Sequence, residues 1–473
     1  MAFSACVSFR RRVRQCRVVL CISLFSHLAV SAPLASGQSV PPRPLGADLP
    51  VFRPGGDSPE PTALTLENPN GQVTLRDALA LALLQSPELA SFAWELRARE
   101  ARILQASRPP NPVISALAED LGGTSLFTGP QGIIQPQTTI QLGQLIELGG
   151  KRAARQRLAE RSWDLAAWDY EMARIDVFTR VARAFIDLLA SQQAVVLTEQ
   201  TMRLVEQVQQ TVGARVTAGV VSPIEQTKAD VAFAAVRIES DRARRTLEAD
   251  KRRLAALWGS SDARFQSAAG DLATLPPVPD FAALQRRLSA NPELERWAAE
   301  IAQRQAVLAV ERSKRVPDVT VNAGYRRFTD IDSNAFLIGG SIQLPLFDRN
   351  RGGIQEASDR IAKAHAEQRA AQVRVTTALA ESYRALAIAR DEASALASHI
   401  QPGAREAFEA VTEGYRLGKF GYLEVLDAQR TLVSADAQYL RALSDYHKAA
   451  ADVERLIGAP LADAATVPPA IIK

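Results

Sequence analysis

Cysteine is almost missing from this chain. Among its 473 residues only Cys6, Cys16 and Cys21 occur, all close to the start. They fall in a segment with the order of a secretory signal. Arg10, Arg11, Arg12, Arg14 and Arg17 form a cationic stretch, Val18 to Val30 is mostly apolar, and the small-residue sequence APLASGQ follows. Cleavage is expected after Gly37, making residues 1–37 a signal peptide and leaving a chain with no disulfide and no thiolate metal ligand. Cys21 follows Val18-Val19-Leu20 rather than a lipobox, so an acylated N-terminus is not expected. Removing five arginines also takes the formal net charge from +4 to −1, so the basic balance gives no reason to expect a nucleic-acid partner.

Other shortages narrow the function further. His365, His399 and His447 are scattered, with no HExxH or His-x-His spacing, and the chain has three methionines. No metal site and no cofactor are therefore expected. The sequence LGGKR lacks a glycine five residues before Gly150 and a Ser or Thr after Lys151, so it is not a phosphate loop. No nucleophile–base set is visible, and an enzyme is not expected. Beyond the leader no run is apolar and uncharged over the roughly 20 residues that a membrane helix needs. A membrane role would have to come from strands.

What the chain does have, it has twice. A Pro/Gly-rich tail (38–72) and a short C-terminal tail (462–473) flank two similar halves, 73–260 and 280–461. Each opens on a helical pattern with matched prolines, Pro87 with Pro292 and Pro110 with Pro317. Two alternating segments follow, then a long helix, a glycine turn and a second long helix ending in LAALWG or VERLIG. The first long helix is expected to run unbroken from Gly150 to about Thr211, some 90 Å at 1.5 Å per residue. In the second half Ile354, Ala357, Ile361 and Ala364 follow the 3-4-3 spacing of a coiled-coil seam, and Pro402 is expected to bend the helix.

The alternating segments are expected at about 112–120, 137–146, 318–328 and 335–344, near the length of a tilted membrane strand. Val319, Val321, Ala323 and Tyr325 share one face, against Thr320, Asn322, Gly324 and Arg326 on the other. An ordinary sheet with one wet face fits the same pattern. Four strands cannot close a barrel alone, and open edges are not tolerated in lipid. A membrane reading thus requires copies: two would give eight strands, plugged by side chains, and three would give twelve with room for solutes.

The two glycine turns are VTAGVVSPIEQTKADVAF (216–233) and YRLGKFGYLEVLDAQRTL (415–432). Gly219 and Gly418 suit helix C′ positions, and Pro223 suits a helix start, so a purely structural account of the turns is sufficient. Glu424 and Asp427, three apart, share a helix face. A solvated face bearing two acids is the ordinary cause of such spacing, and the first half has Glu225 and Lys228 there. Pro345 follows a strand and precedes LFDRNRGG, either as a joint between strand and helix or as a local turn.

Taken in order and twice over, SPELA and NPELE, TIQLGQLIELGGKR, SIQLPLFDRNRGG and the two turns resemble the outer-membrane efflux protein (TolC) family from about Val73 to Leu461. The stretch IELGGKR is similar to its cation-efflux, CzcC-like branch. The resemblance implies a mainly α homotrimer with a small β part: a twelve-stranded outer-membrane β-barrel, four strands per protomer, continued by a periplasmic α-helical tunnel. It implies an exit duct of a tripartite pump, set in outer-membrane lipid, with a periplasmic adaptor and an inner-membrane pump of the resistance-nodulation-division (RND) class as partners. Heavy-metal cations are the expected substrate. A drug- or protein-export duct, or a periplasmic coiled-coil scaffold, is the competing reading. Carried over from the family, the adaptor-docking tips are Ala218, Gly219, Val220, Val221 and Ser222, with Leu417, Gly418, Lys419, Phe420 and Gly421. The periplasmic gate acids are Glu424 and Asp427, and Pro345 is the barrel–tunnel joint.

Overall fold

A computed structural model describes residues 69–119, 137–328 and 332–461. The signal segment, most of the N-terminal tail and the C-terminal tail lie outside the described residues.

Element order repeats as the sequence does. After β1 (Gln72–Thr74) come α1 (Leu75–Gln85) and α2 (Pro87–Ala106), β2 (Val113–Glu119) and β3 (Gln137–Ile146), and the long helices α3 (Lys151–Thr217) and α4 (Pro223–Ala256). The second half gives β4 (Ser267–Ala269), α5 (Phe281–Arg287), α6 (Pro292–Ser313), β5 (Val319–Phe328), β6 (Ser333–Ile342), α7 (Arg351–Ala395), α8 (Gln401–Arg416) and α9 (Tyr422–Ile457). Matching punctuation recurs at matching places. Pro87 and Pro292 each sit in the first turn of a helix. Gly150 and Asn350, with left-handed backbones, precede α3 and α7. Gly259 and Gly458, also left-handed, close the ends of the two halves.

At 67 residues, α3 is six residues longer than expected at its far end and spans about 100 Å. One window of it is apolar enough by length and composition to cross a bilayer, but charged residues such as Arg183 and Asp187 interrupt it, so no uncharged run approaches the length of a membrane helix. Its apolar side chains are instead spent on helix packing. Val177, Val181, Phe185 and Leu188 are buried with Leu254, Trp258 and Leu443 in a large cluster. A second cluster joins α5, α7 and α9 around Leu379, Leu386 and Tyr446. A third lies at the glycine turns, around Val212, Phe408, Tyr415 and Tyr422. Between helices, Arg183 on α3 grips Asp452 on α9 through hydrogen bonds of 2.8 and 2.9 Å.

The seam on α7 faces the protein, with Ala357, Ala364 and Ala371 buried at every seventh position. The break near Pro402 takes the form of a π-turn, Leu396–Ile400, between α7 and α8. Proline has no N–H to donate back to the preceding turn, so the ladder widens there.

Strands β2, β3, β5 and β6 form one antiparallel sheet in that order, the first two contributed by one half and the last two by the other. β6 begins and ends two residues before the expected range. Its register with β5 stops at Val319–Ile342. The residue just before β5, Asp318, instead accepts from the Leu148 N–H at 3.1 Å and pairs with Lys151 at 2.7 Å.

Candidate conduit, docking tips and gate

The register of the sheet sorts its side chains. Ala116, Ile140, Tyr325 and Phe336 stand side by side across the four strands, and so do Ile114, Leu142, Ala323 and Ile338. These rows are apolar yet uncovered: Ile114, Ile140, Phe336 and Ile338 are 75, 53, 88 and 88 % exposed. Tyr325 and Phe336 meet edge to face, ring centres 5.9 Å apart. The opposite face carries Ser115, Gln141, Thr139, Asn322 and Arg326. There Arg326 donates to the Thr139 hydroxyl at 2.9 Å and lies 3.6 Å from Glu119. Among the described residues β2 and β6 each pair on one side only. Such a sheet, apolar outside, polar inside and open at both edges, suits a segment of a barrel in lipid.

The two glycine turns close identically. Beyond α3 the N–H of Gly219 bonds the carbonyl of Val216 and that of Val220 bonds Arg215, each at 2.9 Å. Beyond α8 Gly418 bonds Tyr415 at 3.0 Å and Lys419 bonds Gly414 at 2.8 Å. This is the Schellman pattern, and φ of +70° and +75° at Gly219 and Gly418 explains the glycines. The next helices start differently. Ser222 accepts from the Ile224 N–H at 3.4 Å, with Pro223 in the first turn, whereas Gly421 has no side chain to cap with.

The structure brings the two tips together through residues that the sequence reading missed. The Arg215 guanidinium lies 4.4 Å from the centre of the Tyr415 ring and donates to the Tyr415 carbonyl. The Tyr415 hydroxyl donates to Glu225 at 3.3 Å, and its ring is 6.1 Å from that of Tyr422. Burial raises the Tyr415 phenol and pushes Tyr422 up to about 12, so both stay neutral. Tyr415 opens the quoted second turn, but nothing in one sequence says that Arg215 would reach it.

At the surface Ala218, Gly219, Val220 and Ser222 are exposed, as are Leu417, Gly418, Lys419, Phe420 and Gly421. Val221 is half-buried. Ile224 and Leu423, equivalent residues in the following helices, are each 61 % exposed and extend the apolar tip on both hairpins. Phe420 folds back so that a Cβ on Gly414 would overlap its ring. Glu424 and Asp427 lie in the first turns of α9, exposed and without an ion-pair partner among the described residues. Pro345 lies in the connection between β6 and α7.

A family model described as "Outer membrane efflux protein" matches residues 78–260 and again 283–459. The chain belongs to that family. The cobalt-zinc-cadmium resistance protein CzcC of Cupriavidus metallidurans is 37 % identical over 388 residues, 82 % of this chain and 90 % of that protein. The nickel-cobalt-cadmium resistance protein NccC of Alcaligenes xylosoxydans is 29 % identical over 300 residues, covering 63 % of this chain and 66 % of that one. Among solved structures, the Campylobacter jejuni CmeC outer membrane channel superposes with a TM-score of 0.69 at 15 % identity, over 81 % of this chain and 85 % of that one. As an outer membrane efflux protein the chain belongs to an efflux duct. Among the described residues no three His, Cys, Asp or Glu side chains cluster as a metal site.

Proposed function

We propose that this outer membrane efflux protein is a homotrimeric exit duct for heavy-metal cations, fed by a periplasmic adaptor and an RND-type inner-membrane pump. The observation that carries the reading is the four-stranded sheet, with one uncovered apolar face, one polar face and two open edges. Lipid does not tolerate open edges, and three copies closing on one another give twelve strands around a polar lumen. The repeated order of elements reads as an internal duplication, so a trimer presents six hairpin tips. Val220, Ile224, Leu417, Phe420 and Leu423 supply the apolar surface for the adaptor. The metal reading rests on the likeness to CzcC. The ion is cargo, driven by the inner-membrane partner. Deleting the gene is expected to sensitise cells to cobalt, zinc or cadmium, and restoring it on a plasmid to rescue growth. Unaltered metal tolerance with lost drug tolerance would turn the substrate assignment, while recovery of the protein in soluble periplasm would sink the duct itself.

In the trimer Glu424 and Asp427 form the periplasmic gate, six carboxylates round the mouth of the tunnel. Their attraction for cations is strongest where the passage is narrowest. Glu424→Ala with Asp427→Ala is expected to change single-channel conductance and cation preference in planar bilayers while the trimer assembles normally. Wild-type conductance and selectivity in that double variant would remove the gate.

A further inference from the structure

Two features at the helical end of the sheet have no partner within the protomer. On the β2 side, α2, the Arg108–Pro110 segment and the start of α3 surround a cavity of about 580 Å³. Arg99, Arg102, Arg108, Arg155, Glu147 and Leu158 line it. Arg155 is paired with Glu147, and Arg99 with Glu95 at 2.6 Å. Arg102 and Arg108 have no acidic partner among the described residues, so the cavity carries uncompensated positive charge.

On the β6 side the chain presents a knob. Leu344, Leu346 and Phe347 are 65, 64 and 100 % exposed, and Asp348 beside them is exposed too. The knob has a defined shape. The Leu346 N–H donates to the Leu344 carbonyl across Pro345 at 2.9 Å, Arg349 reaches the Pro345 carbonyl at 3.3 Å, and the Asn350 N–H caps Asp348 at 2.8 Å. Asn350 is in turn tied to the Glu311 carbonyl on α6 at 2.9 Å. A bare phenylalanine on a tethered loop is costly in water and suits a socket.

Knob and socket lie at opposite edges of one sheet but at the same end. The cavity-lining Pro110 precedes β2 by a few residues, and Leu344 follows the last residue of β6 closely. Alternate strands run oppositely, so the outer pair β2 and β6 point in opposite directions. When β6 of one copy meets β2 of the next, they join antiparallel, with the knob of one beside the cavity of the other.

We infer that residues 344–349 of each protomer seat in the arginine-lined cavity of the next copy, with Phe347 against Leu158 and a guanidinium face and Asp348 against Arg102 and Arg108. Cation–π stacking and a charge-assisted pair favour that occupant over a purely apolar one. The contact rests on the trimer reading and gives Pro345 a task beyond ending a strand: it aims the knob.

Residues 38–473 contain no cysteine, so an engineered pair has no competitor. Phe347→Cys combined with Leu158→Cys, oxidised in outer-membrane preparations, is expected to give covalent dimers and trimers on non-reducing gels, absent from either single variant. As a second measurement, Asp348→Arg is expected to lower the temperature at which the detergent-solubilised trimer dissociates, and adding Arg102→Asp to restore it. An intact trimer without adduct and without rescue overturns the contact but keeps the trimer. Loss of the trimer in the unmutated protein overturns the reading beneath it. An intact, adduct-free trimer that retains phosphatidylglycerol only while Arg102 and Arg108 are present also overturns the contact and assigns the cavity to lipid.

Discussion

Arginine in place of Ile338 is expected to keep the protein out of the membrane, whereas arginine in place of Gln141 is expected to leave assembly intact. Both positions lie in the middle of their strands. Ile338 aligns with Ile114, Leu142 and Ala323 on the apolar face, and Gln141 with Ser115, Gly324 and Leu337 on the mainly polar face, one register step away. Depth is therefore matched and only the face differs. An arginine facing lipid near the bilayer centre costs about 2–4 kcal/mol, and in the proposed trimer three protomers bring the sum to about 6–12 kcal/mol. That is comparable with the whole stability of an ordinary domain, about 5–15 kcal/mol. At Gln141 the same charge points at water beside Arg326 and Thr139, and the cost is that of a like charge in a wet lumen. Heat-modifiable, detergent-resistant trimer in outer-membrane fractions is the readout. Equal trimer from both variants would show that the two faces are not lipid and lumen.

That contrast between faces was legible in the sequence because a strand alternates with period two, and β5 alternates cleanly, while in β6 the one large apolar residue on the polar face is Leu337, opposite Gly324. β2 was harder to read. Leu117 falls on the polar face opposite Thr139, so its pattern VISALAE mixes apolar residues onto both sides. The long helices were legible for another reason: their alanine-rich runs carry proline and glycine only near their ends or at the break by Pro402, leaving the interiors no other choice. Both Schellman turns followed from Gly219 and Gly418, since a left-handed residue after a helix has few other occupants. The composition of the tip surface was only partly visible. Exposure of Ile224 and Leu423 depends on where the third core ends, and Val221 turns partly inward for the same reason. Least visible was the contact between the hairpins. Arg215 and Tyr415 are 200 residues apart in the chain and meet only because both turns reach the same level.

Tyr415→Ala is the second large effect, and it separates the tip from the rest of the fold. Tyr415 is 2 % exposed at the centre of the third cluster, which is distinct from the two clusters nearer the sheet. Removing a buried aromatic side chain costs about 3–5 kcal/mol. Here it also strips Arg215 of the ring 4.4 Å away and Glu225 of its hydroxyl donor. Tyr415→Phe keeps the ring, and with it the packing on Tyr422 and the guanidinium contact, and loses only the hydroxyl bond, about 0.5–1.5 kcal/mol. Because the cluster is distinct from those nearer the four-stranded sheet, the loss is expected to melt the hairpins locally and leave the proposed trimer resistant to detergent. Hydrogen exchange reads this directly. The Gly418 and Lys419 amides, bonded to Tyr415 and Gly414, are expected to lose most of their protection in the alanine variant and little in the phenylalanine variant. If the tips are the adaptor-docking surface, as proposed, export should follow the same order, since that surface would no longer hold a fixed spacing. Wild-type protection in the alanine variant would mean that each hairpin holds its turn alone, and the contact between Arg215 and Tyr415 would then have no part in setting the docking surface.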